Sequence, residues 1–181
     1  MSRILVLVVL AMVGLGAMAA DMPSDVAAQV AKLKDPTPQA RQQAVAALGR
    51  LGEKAKPALP EICGMLNDKT TWVVTKSLMA IKDIGPDEAS CKAVAPMLGL
   101  NNEPEKRGMA VDIYVAYGEK GVPLLIEALK DELKAEGAAE ALQQLGPKAK
   151  AAVPELQVVA AKHKSKPIRD KATAAIKAIG K

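Results

Sequence analysis

The sequence predicts an all-α chain, an α-solenoid of about five stacked helical hairpins, and three observations predict it. One segment recurs five times: Ala-Leu-Gly-Arg-Leu-Gly52, Ala-Ile-Lys-Asp-Ile-Gly85, Ile-Tyr-Val-Ala-Tyr-Gly118, Ala-Leu-Gln-Gln-Leu-Gly146 and Ala-Ile-Lys-Ala-Ile-Gly180. Its glycines stand 33, 33, 28 and 34 positions apart, a period characteristic of stacked helix pairs. Composition agrees. Half of the 181 residues are apolar, yet there is no Phe, one Trp (Trp72) and two Tyr (Tyr114 and Tyr117). The core must therefore come from Ala, Leu, Ile, Val and Met, mostly strong helix formers, whereas β architectures draw on more aromatics.

The third observation is positional. Eight residues before each glycine stand Ala44, Ser77, Ala110, Ala138 and Ala172, all small. Four before it stand Leu48, Ile81, Tyr114, Leu142 and Ile176, and one before it Leu51, Ile84, Tyr117, Leu145 and Ile179. These offsets share one face of a 3.6-residue helix, so each unit closes with an amphipathic helix whose stripe is buried and whose stop is glycine. Pro60, Pro123 and Pro154 mark the first turns of opening helices, where the missing N–H has no intrahelical partner to lose. The link from Gly85 to Pro96 is three residues longer than that from Gly52 to Pro60. The third opening helix is accordingly expected to start near Asp87 and to kink at Pro96. Opening helices run to Leu33-Lys34-Asp35, Leu66-Asn67-Asp68 and Leu129-Lys130-Asp131, with polar turns such as Pro36-Thr37-Pro38 after them.

The units are then about 25–52, 53–85, 86–118, 119–146 and 147–180, all within a single repeat domain over 21–181. Residues 1–20 have another character. Arg3 precedes a nearly unbroken apolar run from Ile4 to Val13, and Ala17-Met18-Ala19 forms a small-x-small site. This is the pattern of a cleaved signal peptide, shorter than the roughly 20 apolar residues of a membrane anchor. No Cys follows it for lipid attachment. The expectation is an exported protein, periplasmic or extracellular in a bacterium, with no integral membrane span after signal removal.

Charge is unevenly placed. The whole chain carries +5, and without residues 1–20 it keeps 24 basic against 20 acidic side chains, a net +4. Residues 147–181 hold 9 of those basic residues and 2 acids. The cluster Lys162, Lys164, Lys166, Arg169 and Lys171 reads either as a solvated end or as a contact for an anionic partner or surface. Export and sparse aromatics argue against nucleic acid as a partner.

Two segments carry a family resemblance. Val122-Pro123-Leu124-Leu125-Ile126-Glu127-Ala128-Leu129-Lys130-Asp131 and Ala40-Arg41-Gln42-Gln43-Ala44-Val45-Ala46-Ala47-Leu48-Gly49-Arg50-Leu51-Gly52 resemble the two halves of a HEAT-like repeat, of the type found in phycobilisome lyases. The resemblance spans about residues 25–180. It implies a ladder between neighbouring repeats, formed by an Asp after the first helix and an Arg opening the second. Arg41, Arg107 and Arg169, eleven before their glycines, and Asp35 and Asp68 fit that pattern, whereas Val74 and Ala135 break it. The landmarks of tetratricopeptide repeats are absent.

Reactive groups are few. His163, in Lys162-His163-Lys164, reads as an exposed turn residue, and no phosphate loop, nucleophile elbow or His-Glu-x-x-His is present. The pair Asp87-Glu88 stabilises a helix start. Export invites a disulfide between Cys63 and Cys91, but their axial offset on neighbouring helices favours free thiols over a bridge. No catalytic residue, cofactor or metal is expected. The predicted binding surface is the outward side of the second helices, expected to line the concave face: Gln42, Gln43 and Arg50; Lys76, Lys82 and Asp83; Asp112; Glu140, Gln143 and Gln144; Asp170, Lys171 and Lys177. A mixed polar face of this kind suits protein recognition or is ordinary solvated surface. Trp72 is either an interface anchor or packed on the adjacent turn.

The leading expectation is a non-enzymatic repeat scaffold of the cell envelope that binds an unidentified protein. The alternatives are a bilin-lyase-like enzyme or chaperone, as the resemblance implies, or a structural envelope component held to an anionic surface by its basic C-terminal repeat.

Overall fold

The computed structural model describes residues 22–100 and 103–181; the predicted signal segment lies outside them. Five helix pairs follow one another: α1 (Ser24–Lys32) and α2 (Pro38–Arg50), α3 (Leu59–Gly64) and α4 (Thr71–Ile84), α5 (Glu88–Val94) and α6 (Pro104–Tyr117), α7 (Val122–Leu129) and α8 (Ala135–Leu145), α9 (Val153–Lys162) and α10 (Lys166–Ile179). No strand occurs among the described residues. The second helices form a continuous stack in which α2 packs on α4, α4 on α6, α6 on α8 and α8 on α10, and on the opening side α3 packs on α5 and α7 on α9.

The small residues set the spacing of that stack. Ala44, Ser77, Ala110, Ala138 and Ala172 are all buried, as are Leu48, Ile81, Tyr114 and Leu142 four residues on. Removing apolar surface from water between successive hairpins is what holds a solenoid together, since no hairpin can bury its own stripe. Ile176 of α10 is only half-buried. The hydroxyl of Ser77 donates to the Val73 carbonyl at 2.8 Å, so its burial leaves no polar group unpaired.

Four repeat glycines stop their helices in the left-handed region: Gly52, Gly85, Gly118 and Gly146, with φ of 55°, 95°, 75° and 56°. L-residues pay a steric cost there. The fifth differs. Gly180 keeps φ of −83°.

Three of the helix-starting prolines behave as the sequence predicts. Pro60, Pro123 and Pro154 lie in the first turns of α3, α7 and α9. The connectors before them, Gly52–Ala58, Gly118–Gly121 and Gly146–Ala152, are 3-10 helices, which apolar periodicity alone did not reveal. In the third unit α5 begins one residue after Asp87. The Asp87 carboxylate accepts from the Ser90 amide at 2.7 Å, and the Asp87 amide donates back to the Ser90 hydroxyl at 2.8 Å. This reciprocal cap explains the Asp87-Glu88 start.

At Pro96 the helix tightens into a 3-10 segment, Ala95–Gly99, instead of continuing kinked. Proline has no N–H for the Lys92 carbonyl, and the Ala95 amide serves that carbonyl instead. The Cys91 carbonyl loses its helical donor as a result. The hydroxyl of Tyr114 supplies the missing bond at 2.8 Å. An aromatic with a polar tip thus occupies a stripe position that is Leu or Ile in the other four units.

Candidate interaction surface

Ionic contacts join every pair of consecutive units. Between units one and two, Arg41 makes a two-pronged bond to Asp68, Nε to Oδ2 at 2.7 Å and Nη2 to Oδ1 at 3.0 Å, while Nη1 donates to the carbonyls of Asp35 and Pro36 at 2.9 and 3.2 Å. Between units two and three, Lys82 pairs with Asp112 at 2.6 Å. Glu136 then bridges three helices, accepting from Arg107 of α6 and from Lys171 of α10, each at 3.2 Å, and Lys171 also reaches Glu140 at 3.0 Å. Lys164 pairs with Glu132 across the last junction.

One rung of the expected ladder between neighbouring repeats is present, Arg41 to Asp68 of the next unit, whereas Arg107 pairs with Glu136. The Asp35 carboxylate takes its hydrogen bonds from the Thr37 amide and hydroxyl, at 2.8 and 2.6 Å. Asp68 and Asp131 likewise accept from the amides two residues on, those of Thr70 and Leu133. The turn acids are chiefly turn formers, and only Asp68 also serves a guanidinium. Glu136 was missed because its value lies in a register between α6, α8 and α10 that no single repeat contains.

Charge pairing leaves its mark on titration. The Arg41 guanidinium, aided by the Thr70 amide, holds the Asp68 carboxyl below its ordinary 3.8 despite partial burial. A carboxyl depressed in the folded state contributes stability that is fully present above the unfolded value and is lost as the pH falls through the folded one. Arg41→Gln is therefore expected to lower Tm at neutral pH, with a deficit against wild type that narrows as the pH drops below 3.8. Thermal unfolding of both proteins, followed by circular dichroism from about pH 7 to about pH 2.5, checks this; a deficit constant over that range would show that Arg41 acts through packing alone.

His163 is half-buried, not simply an exposed turn residue. It takes the place of the turn aspartate, its Nδ1 accepting from the Ser165 amide at 3.1 Å, while Arg169 donates to the His163 and Lys164 carbonyls at 2.6 and 3.0 Å. Its neighbours are less available than their sequence suggests. Lys164, Lys166 and Lys171 pair with Glu132, Asp170 and Glu136. Lys162 alone of the five clustered cations has no partner among the described residues.

The predicted binding residues divide in two. Lys82, Asp112, Glu140 and Lys171 are spent on junctions between units. Asp170 is paired with Lys166 within α10. Gln42, Gln43, Arg50, Lys76, Asp83, Gln143, Gln144 and Lys177 carry no ion pair. Of these, Arg50, Lys76 and Asp83 come together with Met79 around a shallow groove of about 170 Å3 between α2 and α4. The groove is narrow because a Cβ at Gly49 would meet Ala80 at 3.2 Å, so the two helices nearly touch beneath it. The remaining residues, on α8 and α10, are separate from it. Trp72 stands 67% exposed on the first turn of α4, so packing on the adjacent turn accounts for only a minor part of its surface.

Cys63 and Cys91 are free thiols, as expected from their offset. Burial pushes them up to about 11 and about 12 respectively, which keeps both protonated and unreactive near neutral pH. Among the described residues no group of three or more His, Cys, Asp or Glu side chains is placed to hold a metal ion, and no helix is long and apolar enough to cross a membrane.

No protein-family profile matches the chain, and no curated protein matches it. Solved structures do. A designed armadillo repeat protein, solved in complex with the peptide (KR)4, aligns at 17% identity over 92% of this chain and 90% of its own, with a TM-score of 0.49. The complex of CpcE and CpcF of phycocyanin lyase from Nostoc sp. PCC7120 aligns at 19% identity over 83% of this chain and 96% of that one, with a TM-score of 0.48. A second designed armadillo repeat protein reaches 17% identity and a TM-score of 0.48 over 93% of this chain and 84% of its own. Likeness at this level does not bear on activity or partners; the order of helix pairs described above by itself makes the chain an all-α helical repeat.

Proposed function

We propose that the chain is a non-enzymatic scaffold, exported to the bacterial cell envelope, that binds another protein through the outward face of its second helices. The observation that carries this reading is the division of that face. Side chains at the junctions are neutralised by one another, whereas Arg50, Lys76 and Asp83 converge on the groove between α2 and α4 and keep their charges for a partner. Both signs at one groove favour a protein over a uniformly charged ligand, because complementary charge sets register and rejects wrong partners. Export rests on Arg3, the apolar run that follows and the Ala17-Met18-Ala19 site. The basic end is a weaker anchor for an anionic surface, since most of its clustered cations are already paired.

The test is affinity capture from envelope extracts with the wild-type chain and a variant carrying Arg50→Glu, Lys76→Glu and Asp83→Lys. Partner recovery is expected to fall about tenfold or more, the effect of losing roughly 1.4 kcal/mol of binding, while Tm shifts little because all three are surface residues. Unaltered recovery would remove this face from consideration.

A further inference from the structure

Trp72, Lys76, Met79 and Asp83 fall four, three and four residues apart, so they share one side of α4 and form a single stripe along it. Two of the four are apolar and exposed. Trp72 is 67% and Met79 42% accessible, and no other second helix carries large apolar side chains at both of these repeat positions. Thirteen before their glycines the other units have Gln39, Glu105, Leu133 and Pro167, and six before them Ala46, Asp112, Glu140 and Ala174. Asp112 and Glu140 are taken up by lysines of neighbouring units. Met79 instead borders the groove between α2 and α4, where Gly49 offers it no side chain. Lys76 is no better engaged. Its ammonium donates to the Met79 sulfur at 3.9 Å, a weak acceptor, and meets no carboxylate among the described residues.

We propose that this stripe docks an amphipathic helix of a partner protein, which sets two apolar side chains seven residues apart on Trp72 and Met79 and a carboxylate between them on Lys76. The spacing selects a helix. Trp72 and Met79 are about 10 Å apart along α4, the rise that also separates residues seven apart on a second helix packed along it. An extended segment presents one face every 7 or 13 Å or so, which misses one of the two anchors. The groove alone, at about 170 Å3, lies below the range of ligand pockets, so the occupant rests along the stripe and does not sit inside the groove. Charge then chooses the partner. Lys76 asks for an acid between the apolar residues and Asp83 for a base beyond them, whereas a second copy of this chain, aligned in either direction with the apolar pairs in contact, would bring Lys76 against Lys76. Tryptophan is the side chain most often found to anchor such contacts.

Trp72 is the only tryptophan in the sequence, so its emission reports on this stripe alone. The probe is a capped, alanine-rich helical peptide of about 20 residues with two leucines seven apart, a glutamate between them and a lysine one turn beyond each leucine. It is expected to shift the Trp72 emission to the blue, and the anisotropy of the labelled peptide gives its affinity. A proline at its centre is expected to weaken binding about tenfold or more, and a lysine in place of the glutamate about fivefold. Lys76→Glu is expected to reverse the order of the glutamate and lysine peptides, and Met79→Lys, with its fold checked by circular dichroism, to weaken both about tenfold. Unmoved emission, equal binding of the proline peptide, an unreversed order in Lys76→Glu or full affinity in Met79→Lys would each overturn the proposal. This inference rests on the scaffold reading, and the two fail separately. Unmoved emission alongside lost partner recovery in the charge-reversed triple variant would overturn the helix alone, whereas unaltered recovery would remove the natural partner from this face whatever the peptide does.

Discussion

Tyr114→Ala is expected to destabilise the chain by about 3–5 kcal/mol, the usual cost of emptying a buried aromatic site. Tyr114 is 1% exposed and sits in the stripe of α6, so the neighbouring units cannot collapse into the vacancy without breaking the stack. Tyr114→Phe isolates the hydroxyl. It keeps the ring but strips the Cys91 carbonyl of the donor that replaced its helical one, with an expected cost of about 1–3 kcal/mol for a buried acceptor left unpaired. Urea unfolding measures both. The origin of the demand is also testable: Pro96→Ala returns an N–H to the Lys92 carbonyl and frees the Ala95 amide for Cys91, so Tyr114→Phe should cost less in that background. An equal cost with and without Pro96 would break the link between the proline and the tyrosine.

Gly137→Ala is expected to destabilise by about 3 kcal/mol, a fall in Tm of roughly 6–12 °C for a chain of this length. The direction opposes helix propensity. In an exposed helix interior the same change gains about 1 kcal/mol, and Gly137 lies inside α8 with ordinary helical backbone. A Cβ there would stand 2.6 Å from the Leu98 carbonyl oxygen and 3.0 Å from the Leu98 Cα. Both are backbone atoms of the 3-10 segment that Pro96 creates, and backbone cannot move aside as the tip of a side chain can. Relief would require α8 to withdraw from the third unit, loosening the contact across which Arg107 meets Glu136. Thermal unfolding decides it; a Tm equal to or above wild type would mean that the units separate there at little cost.

These two sites show what could be read in advance. The offsets of minus eight, minus four and minus one from each glycine located the inward stripe, with Leu51, Tyr117 and Ile176 only half-buried, because a helix converts linear spacing into a face whatever lies opposite. Helix starts at proline and stops at glycine followed for the same local reason. The candidate site was legible only in outline. All the outward residues of the second helices do reach solvent to some degree, but which of them remain unpaired depends on the neighbouring unit. Asp112 is taken by Lys82 and Glu140 by Lys171, whereas Lys76 and Asp83 meet Arg50 at a groove. Glu136 gave no signal, since its two partners lie 29 residues before it and 35 after it.

By itself the sequence determined the hairpins: their number, their buried faces, their stops and the all-α class, since each depends on spacing within one helix and on the conformational limits of glycine and proline. Tertiary structure decided the rest. Pairing between units selected which charges hold the stack and which remain for a partner, turned His163 into a substitute for a turn aspartate, and tied Tyr114 to the backbone freed by Pro96. Those outcomes depend on distances between atoms of different repeats, which helical periodicity does not encode.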